Sequence, residues 1–475
     1  MKRRKIIFFE ANEIPFKIIN DFVTTNPDST LAKILPESRQ CTTVAKDKSE
    51  LSPWITWPTV HRGVNDELHG IFDFGQDLTD IDKIYPPLWN ILMKHGISVG
   101  VFGPLHSSPL PIEHEKYKFY VPDTFAKSPK CFPNKVETFQ KFNLSMARNS
   151  AYNVSKSIDF KNLFNLIKNI FSLGIRSKTV FSIIFQLINE KIYDWKKNRR
   201  RTFQPVLAFD IFLKLLNESK PEFVNFFTNH VASSMHRFWA AKYPKEYKNM
   251  GLDGDWIARY KYEIDFSMTW LDKMIRDTIK FVNKNPEYIL IVSSSMGQSA
   301  TTAKKIESQL HLKKPNLFFE LLGVKNKDWE DRPAMAPQYN VKINLQKIND
   351  LKDILDDFYI NDKPISYKCN ENGFFSLDFG HADIQSDKEF AIVKGEKILL
   401  DNLGIMSSKP DIGIGNSAYH IPKGSLIIYD PKLKKVDKSS DSKTQIDTRE
   451  IAPIILKNFG IRIPSYMIQN PSLDF

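Results

Sequence analysis

The feature that most constrains this chain is a step it repeats: an amphipathic helix, a break, then a short strand that is apolar throughout. Residues 86–95 carry apolar side chains at helical spacing, Gly96 stands where a glycine closes a helix, and residues 97–103 read as a strand. The runs 5–9, 221–228 and 288–293 are also short and apolar, with polar or turn residues at their ends. A strand that is apolar on both faces belongs inside a parallel sheet covered by helices on both sides. The pattern predicts an α/β fold, a three-layer α/β/α sandwich with a mainly parallel central sheet. In such sheets sites form beyond the carboxyl ends of the strands. Glu10, the segment after Phe227 and the segment after Ser293 all fall at such ends.

Two stretches interrupt the rhythm. Residues 130–205 contain helical segments at 161–174 and 179–195 and end in the basic run Lys196-Lys197-Asn198-Arg199-Arg200-Arg201. They read as a helical cap insertion that either packs on the core with a solvated basic end or makes a peripheral membrane contact through 161–201. Residues 320–400 are irregular and charged, and read as a second insertion. The core is then 1–129, 206–319 and 401–475. A chain of 475 residues with 42% hydrophobic content can bury a core of that size.

Three cysteines without close spacing fit neither a disulfide framework nor a structural zinc site, and point to a reducing compartment. The apolar run after Lys2-Arg3-Arg4-Lys5 stops at Glu10, too short for a signal peptide, and no run is long enough to span a membrane. The expectation is a cytoplasmic, possible peripheral membrane protein. The formal net charge of +12 favours anionic partners, with no specific nucleic-acid signal.

The chemistry-bearing strings come in a fixed order. Glu10 closes the first strand. Pro53-Trp54-Ile55-Thr56-Trp57-Pro58-Thr59 follows, then Gly63 and His69-Gly70-Ile71. Much later come His236, the string His420-Ile421-Pro422-Lys423-Gly424, and Asp447-Thr448-Arg449-Glu450 ahead of a terminal helix. This order resembles the type I phosphodiesterase/nucleotide pyrophosphatase branch of the alkaline phosphatase superfamily. The resemblance implies an alkaline phosphatase-like core and a hydrolase acting on phosphoric esters. It makes Thr56 the nucleophile, puts Glu10 and Thr56 at one metal position and His236 and His420 at the other, and leaves Trp57 and His69 for substrate. A threonine hydroxyl is a weak nucleophile at neutral pH, and a bound cation or base must activate it. Read from its residues alone, Thr56 equally suits a helix cap.

The departures from that pattern define the rest. Where the family has an Asp four residues before the histidine, Ala232 stands; its Ser-Asp-His-Gly loop is Ser294-Ser295-Met296-Gly297 here. Methionine is a poor ligand for a phosphoryl-transfer ion. Asn229, His230 and His381 are candidate replacements, and Glu13 is a candidate second carboxylate at the Glu10 site. The resemblance thus implies a reduced site with one divalent ion, zinc or manganese, or none. Two functions follow: a phosphodiesterase-like hydrolase or phosphotransferase with a threonine nucleophile acting on phosphorylated or otherwise anionic small molecules, glycans or lipids; or a catalytically inactive relative that binds an anionic glycan, lipid or protein partner.

Overall fold

Strand β1 (Lys5–Ala11) lies near the middle of an eight-stranded sheet, and its residues are buried from Ile6 onward. The computed structural model describes residues 3–150, 160–247, 251–302, 308–335, 337–379, 383–408, 416–433 and 444–473. The other strands of the sheet are β2 (Arg39–Val44), β3 (Val99–Phe102), β4 (Phe119–Val121), β5 (Phe223–Thr228), β6 (Tyr288–Ser293), and two later strands, β9 (Leu426–Tyr429) and β10 (Gln445–Asp447). Their spatial order is β10-β2-β9-β6-β1-β5-β3-β4. β1 pairs in parallel with β5 and β6, and β3 with β4 and β5. Only β9 runs against its neighbours β2 and β6. The sheet is mainly parallel, as the apolar strands predict.

Alternation along β1 sends side chains to two separate cores. Ile7 and Phe9 join a cluster with helices α1 (Phe16–Thr25), α5 (Arg200–Ser219), α6 (His230–Lys242) and α7 (Glu263–Lys284). Ile6 and Phe8 join a cluster with α2 (Pro53–Arg62), α3 (Leu88–Lys94) and α8 (Ile451–Asn458). Helices thus cover both faces. A shorter helix, Gly254–Tyr260, precedes α7 and is separated from it at Lys261-Tyr262.

Residues 320–400 prove more regular than their charge suggests. Two four-stranded antiparallel sheets surround a third hydrophobic cluster that runs from Leu310 to Ile405. Its strands are short and one-sided: Phe390–Val393 alternates exposed and buried residues. A sheet with one wet face needs charge on that face, so composition reads as irregular where periodicity of two is the real signal. Strand Gln309–Leu312 pairs with Ile405–Ser408 at the base of this unit. Helix α4 (Ser177–Ile192) and α5 make up much of the region 160–219.

A small strand pair completes the frame. β7 (Gly297–Ala300) follows β6 and pairs antiparallel with β8 (Ala418–Ile421), in a register that sets His420 opposite Gln298. A Cβ at Gly297 would sit 2.1 Å from the Lys423 carbonyl oxygen, so only glycine lets β7 pass the segment entering β9.

Candidate metal centre

The chain leaves β1 by a tight turn that Glu13 takes in the left-handed region, at φ 61°. A non-glycine residue there is strained and persists when its surroundings hold it. Ser294, just past β6, does so. Its hydroxyl donates to the Ala11 carbonyl and accepts from the Ile14 amide at 3.1 Å. Ser425 Oγ donates to the Ile14 carbonyl at 2.7 Å. The turn aims a buried carboxylate at two imidazoles.

Those imidazoles come from distant elements. His236 lies on α6, which starts beyond the carboxyl end of β5, and His420 on β8. Glu13 Oε2 is 3.0 Å from His236 Nε2 and 3.4 Å from His420 Nε2. Each ring is fixed from behind. His236 Nδ1 donates to the Ala418 carbonyl at 2.9 Å, and His420 Nδ1 to the Leu51 carbonyl at 2.5 Å. A carbonyl only accepts, so both protons sit on Nδ1. In the neutral rings both Nε2 atoms then present lone pairs to a carboxylate oxygen. Three acceptors facing one another require a cation, either protons on the rings or a metal ion.

The donor set fits a divalent ion. The three ligand atoms lie within 4.8 Å of one another, and they form the group of this kind among the described residues. Nitrogen and oxygen ligands about 2.0–2.2 Å from a tetrahedral zinc stand about 3.3 Å apart, close to the two separations seen. Backbone carbonyls behind ligating imidazoles are the usual means of setting tautomer and orientation. Without an ion the cluster is held by charge. Burial raises the Glu13 pKa, but His420 and His236 outweigh it and hold the carboxyl well below its ordinary value. For His420, burial lowers the pKa and Glu13 more than reverses this, raising it. Gln298 Nε2 also donates to Glu13 Oε2 and, at 3.2 Å, to the Ala232 carbonyl. His236 is the exposed edge, with 18% of its side chain open to solvent against 2% for Glu13.

Glu10 lies elsewhere. Its Oε1 accepts from Asn225 Nδ2 at 2.9 Å, and its Oε2 faces His61 Nε2 at 3.3 Å, all of them sealed in the core. Three residues along the chain and the turn at Glu13 separate the two carboxylates into different chemistry.

Thr56 sits inside α2, at 0% exposure, with Oγ1 2.7 Å from Ser295 Oγ. It is not the cap of that helix: Ser52 occupies that position. Pro58, within the same helix, cannot donate to the Trp54 carbonyl, and His106 Nε2 donates to it instead at 2.8 Å. Trp57 is also fully buried. Its indole donates to Asn12 Oδ1 at 2.7 Å, and Asn12 Nδ2 donates to Glu13 Oε1 at 2.6 Å and to Asn229 Oδ1 at 2.7 Å. Segment 51–57 thus touches the cluster through the Leu51 carbonyl and through Trp57.

The remaining candidates are occupied by the protein. His69 accepts the Ile71 amide at Nδ1 and bonds Thr59 through Nε2; burial and then Arg62 lower its pKa to about 3. His230 bonds Thr228 and the Ser267 carbonyl, and burial lowers its pKa to about 4. Asn229 orients Asn12. Ser295 and Met296 are fully buried, and the Ser295 hydroxyl is taken up by Thr56. His381 lies outside the described residues. Gln298 is a contributor the sequence reading missed; the signal available was its place two residues past Met296, at the start of the strand that follows the altered loop.

Fold and cluster together define a doubly covered α/β protein with a two-histidine, one-carboxylate centre at the carboxyl edge of its sheet. No family model matches the chain, and no curated protein matches its sequence. Solved structures do resemble it over nearly their whole lengths. Phosphonoacetate hydrolase from Sinorhizobium meliloti 1021, in complex with phosphonoformate, matches with a TM-score of 0.43 and 10% identity over 96% of each chain. Human ectonucleotide pyrophosphatase/phosphodiesterase 5 matches with a TM-score of 0.42 and 10% identity, over 99% of this chain and 97% of that one. Alkaline phosphatase from the Antarctic bacterium TAB5 matches with a TM-score of 0.38 and 11% identity, over 97% and 99%. These are likenesses of shape, and what the chain does has to be read from its own side chains.

Proposed function

We propose that this protein is a one-metal hydrolase or phosphotransferase for phosphoric esters, with Glu13, His236 and His420 holding a divalent ion such as zinc or manganese. The observation that carries the reading is the pair of imidazoles locked through Nδ1 so that both Nε2 atoms meet a strained, buried carboxylate. When bound, the ion would supply Lewis acidity and neutralise phosphoryl charge. The chain's own residues orient the ligands: Gln298 and Asn12 hold the two oxygens of Glu13, and Leu51 and Ala418 hold the rings. Thr56 is the proposed nucleophile, and Ser295 is the group that orients its hydroxyl. Phosphorylated or otherwise anionic small molecules are the substrates that this charge and site favour.

A second reading has its own observation. Thr56 and Trp57 are fully enclosed and bonded to protein groups, so a substrate would have to open segment 51–57 to reach them. In that reading the chain is a catalytically inactive relative whose cluster serves to bind an anionic glycan, lipid or protein partner.

Metal content and hydrolysis separate the two. The expected result is about one zinc or manganese ion per chain, lost in His236→Ala/His420→Ala, with metal-dependent cleavage of a bis-aryl phosphate that Thr56→Ala abolishes. Metal retention with no cleavage of any phosphoric ester would favour the binding reading. No metal after supplementation would remove the enzymatic one.

A further inference from the structure

Helix α4 is built inside out. Its buried residues are polar (Thr179, Gln186 and Glu190), and Phe181, Ile184, Phe185, Ile188 and Ile192 face solvent, with Phe181 and Phe185 each 69% exposed. The spacing of these five residues puts them on one helical stripe. A helix on a water-facing surface normally carries the reverse pattern. Chance scatter does not explain it: among the described residues, nine of the nineteen exposed large hydrophobics fall between Phe164 and Tyr193.

The inner face shows why the helix keeps this orientation. The Arg200 guanidinium pairs with both oxygens of Glu190, and Gln186 Nε2 donates to the Lys196 carbonyl at 2.8 Å. Turning the helix over would strand a buried ion pair's partner and an amide, and each of these losses is costly. The polar contacts therefore lock the apolar stripe outward.

Charge tells what the stripe faces. From Phe160 to Tyr193 the chain has one acidic residue, Glu190, and that one is neutralised by Arg200. Lys161, Lys168, Lys178 and Lys191 are exposed along the same stretch. At the side of α4 a cleft of about 470 Å³ is walled by Phe185, Phe203, Phe266 and Trp270, with Lys196 and Lys273 among its lining residues. Lys273 lies 4.0 Å over the Trp270 ring. Burial, then the neighbouring Arg276 and Lys178, lower its pKa, as expected of an amine in a cationic, half-dry place. An apolar stripe with lysines around it and no free acid matches the interface of an anionic bilayer, where apolar side chains enter the acyl boundary and lysines meet head groups.

We propose that α4 docks this protein on an anionic lipid bilayer, with Phe181, Ile184, Phe185, Ile188 and Ile192 inserted and the cleft beside Phe185 receiving a lipid phosphate. The proposal does not depend on the metal centre. No helix among the described residues is long and apolar enough to cross a membrane, so the contact is one of lying on the surface.

The test is vesicle flotation of the full chain, with phosphatidylcholine alone against phosphatidylcholine mixed with phosphatidylglycerol. Binding to the mixed vesicles alone, weakened by salt, is expected. Phe181→Ser/Phe185→Ser/Ile188→Ser should weaken it by about a hundredfold or more, and Lys196→Ala/Lys273→Ala by about tenfold. Both variants should keep the wild-type far-ultraviolet spectrum and metal content, because neither touches the core or the cluster. Failure of the folded wild type to float with anionic vesicles would overturn the proposal. So would light scattering that shows a dimer which the serine variant splits, since the stripe would then be covered by a second copy.

Discussion

Glu10 and Glu13 leave the same strand three residues apart, both buried, both facing histidine, and they do different things. Glu10 meets one imidazole, His61, within a sealed core, and Asn225 holds its other oxygen. Glu13 meets two imidazoles from separate elements, one of which reaches solvent. A carboxylate–imidazole pair with no access to ions can only be structural. Two rings with their Nδ1 atoms tied back, converging on one oxygen, present the kind of donor set that a divalent cation uses. Convergence and access, rather than residue type or burial, separate a site from a brace.

The sharpest break of this contrast is His236→Ala/His420→Ala. It should abolish metal binding outright in elemental analysis, whereas His61→Ala should leave metal content untouched.

Next comes the exchange of carboxylates. Glu13→Gln should lower metal affinity by about a hundredfold or more in calorimetric titration, because it removes the only charged ligand. Glu10→Gln should leave affinity unchanged yet lower unfolding stability by about 1–3 kcal/mol in denaturant titration, since its histidine partner stays buried. Metal loss in Glu10→Gln would erase the distinction.

Acidity offers a finer test. Glu13 has a lowered pKa, so its stabilising share is complete above its unfolded value near 4.5 and is lost as pH falls through the folded one. His420 has a raised pKa, so its share is complete below its unfolded value near 6.5 and is lost as pH rises through the folded one. Without metal, the cluster should stabilise the fold most between those two values. Affinity for the ion should climb as pH rises past the His420 value, because the ion displaces that proton. Thermal melts of wild type against His420→Ala across this range, with and without zinc, would show both trends; a metal affinity that falls with pH in this range would contradict them.

The smallest change in stability is expected at Thr56. Thr56→Ala loses one buried hydrogen bond to Ser295, about 1 kcal/mol of stability. If Thr56→Ala abolishes cleavage while stability falls only this far, its hydroxyl has a chemical role that packing does not explain.

Much of this was legible in the residues. Apolar strands at 5–9, 221–228 and 288–293 placed the parallel sheet, and His236 and His420 stood out by their neighbours in sequence. What could not be read was which carboxylate joins them. The resemblance sets Glu10 beside Thr56 and leaves the two rings without a carboxylate; the left-handed turn, braced by Ser294 and Ser425, is what brings Glu13 to them. Gln298 was invisible because an amide gives no ligand signal; its role comes from the register of β7 against β8. The regular sheets of 320–400 were hidden by charges on their wet faces. The polarity of α4 was hidden because periodicity reveals two faces without saying which one turns inward.

The bracing by Ser294 has a consequence for how the centre responds when nothing occupies it. A carboxylate on a loose loop would rotate away, and the two rings would relax toward each other or toward water. Here Ala11 and Ile14, on either side of Glu13, are held by Ser294, just past β6, and Ile14 also by Ser425 in the segment entering β9. The three ligand atoms are therefore held in place by the fold itself, and little ordering entropy would be lost on binding an ion.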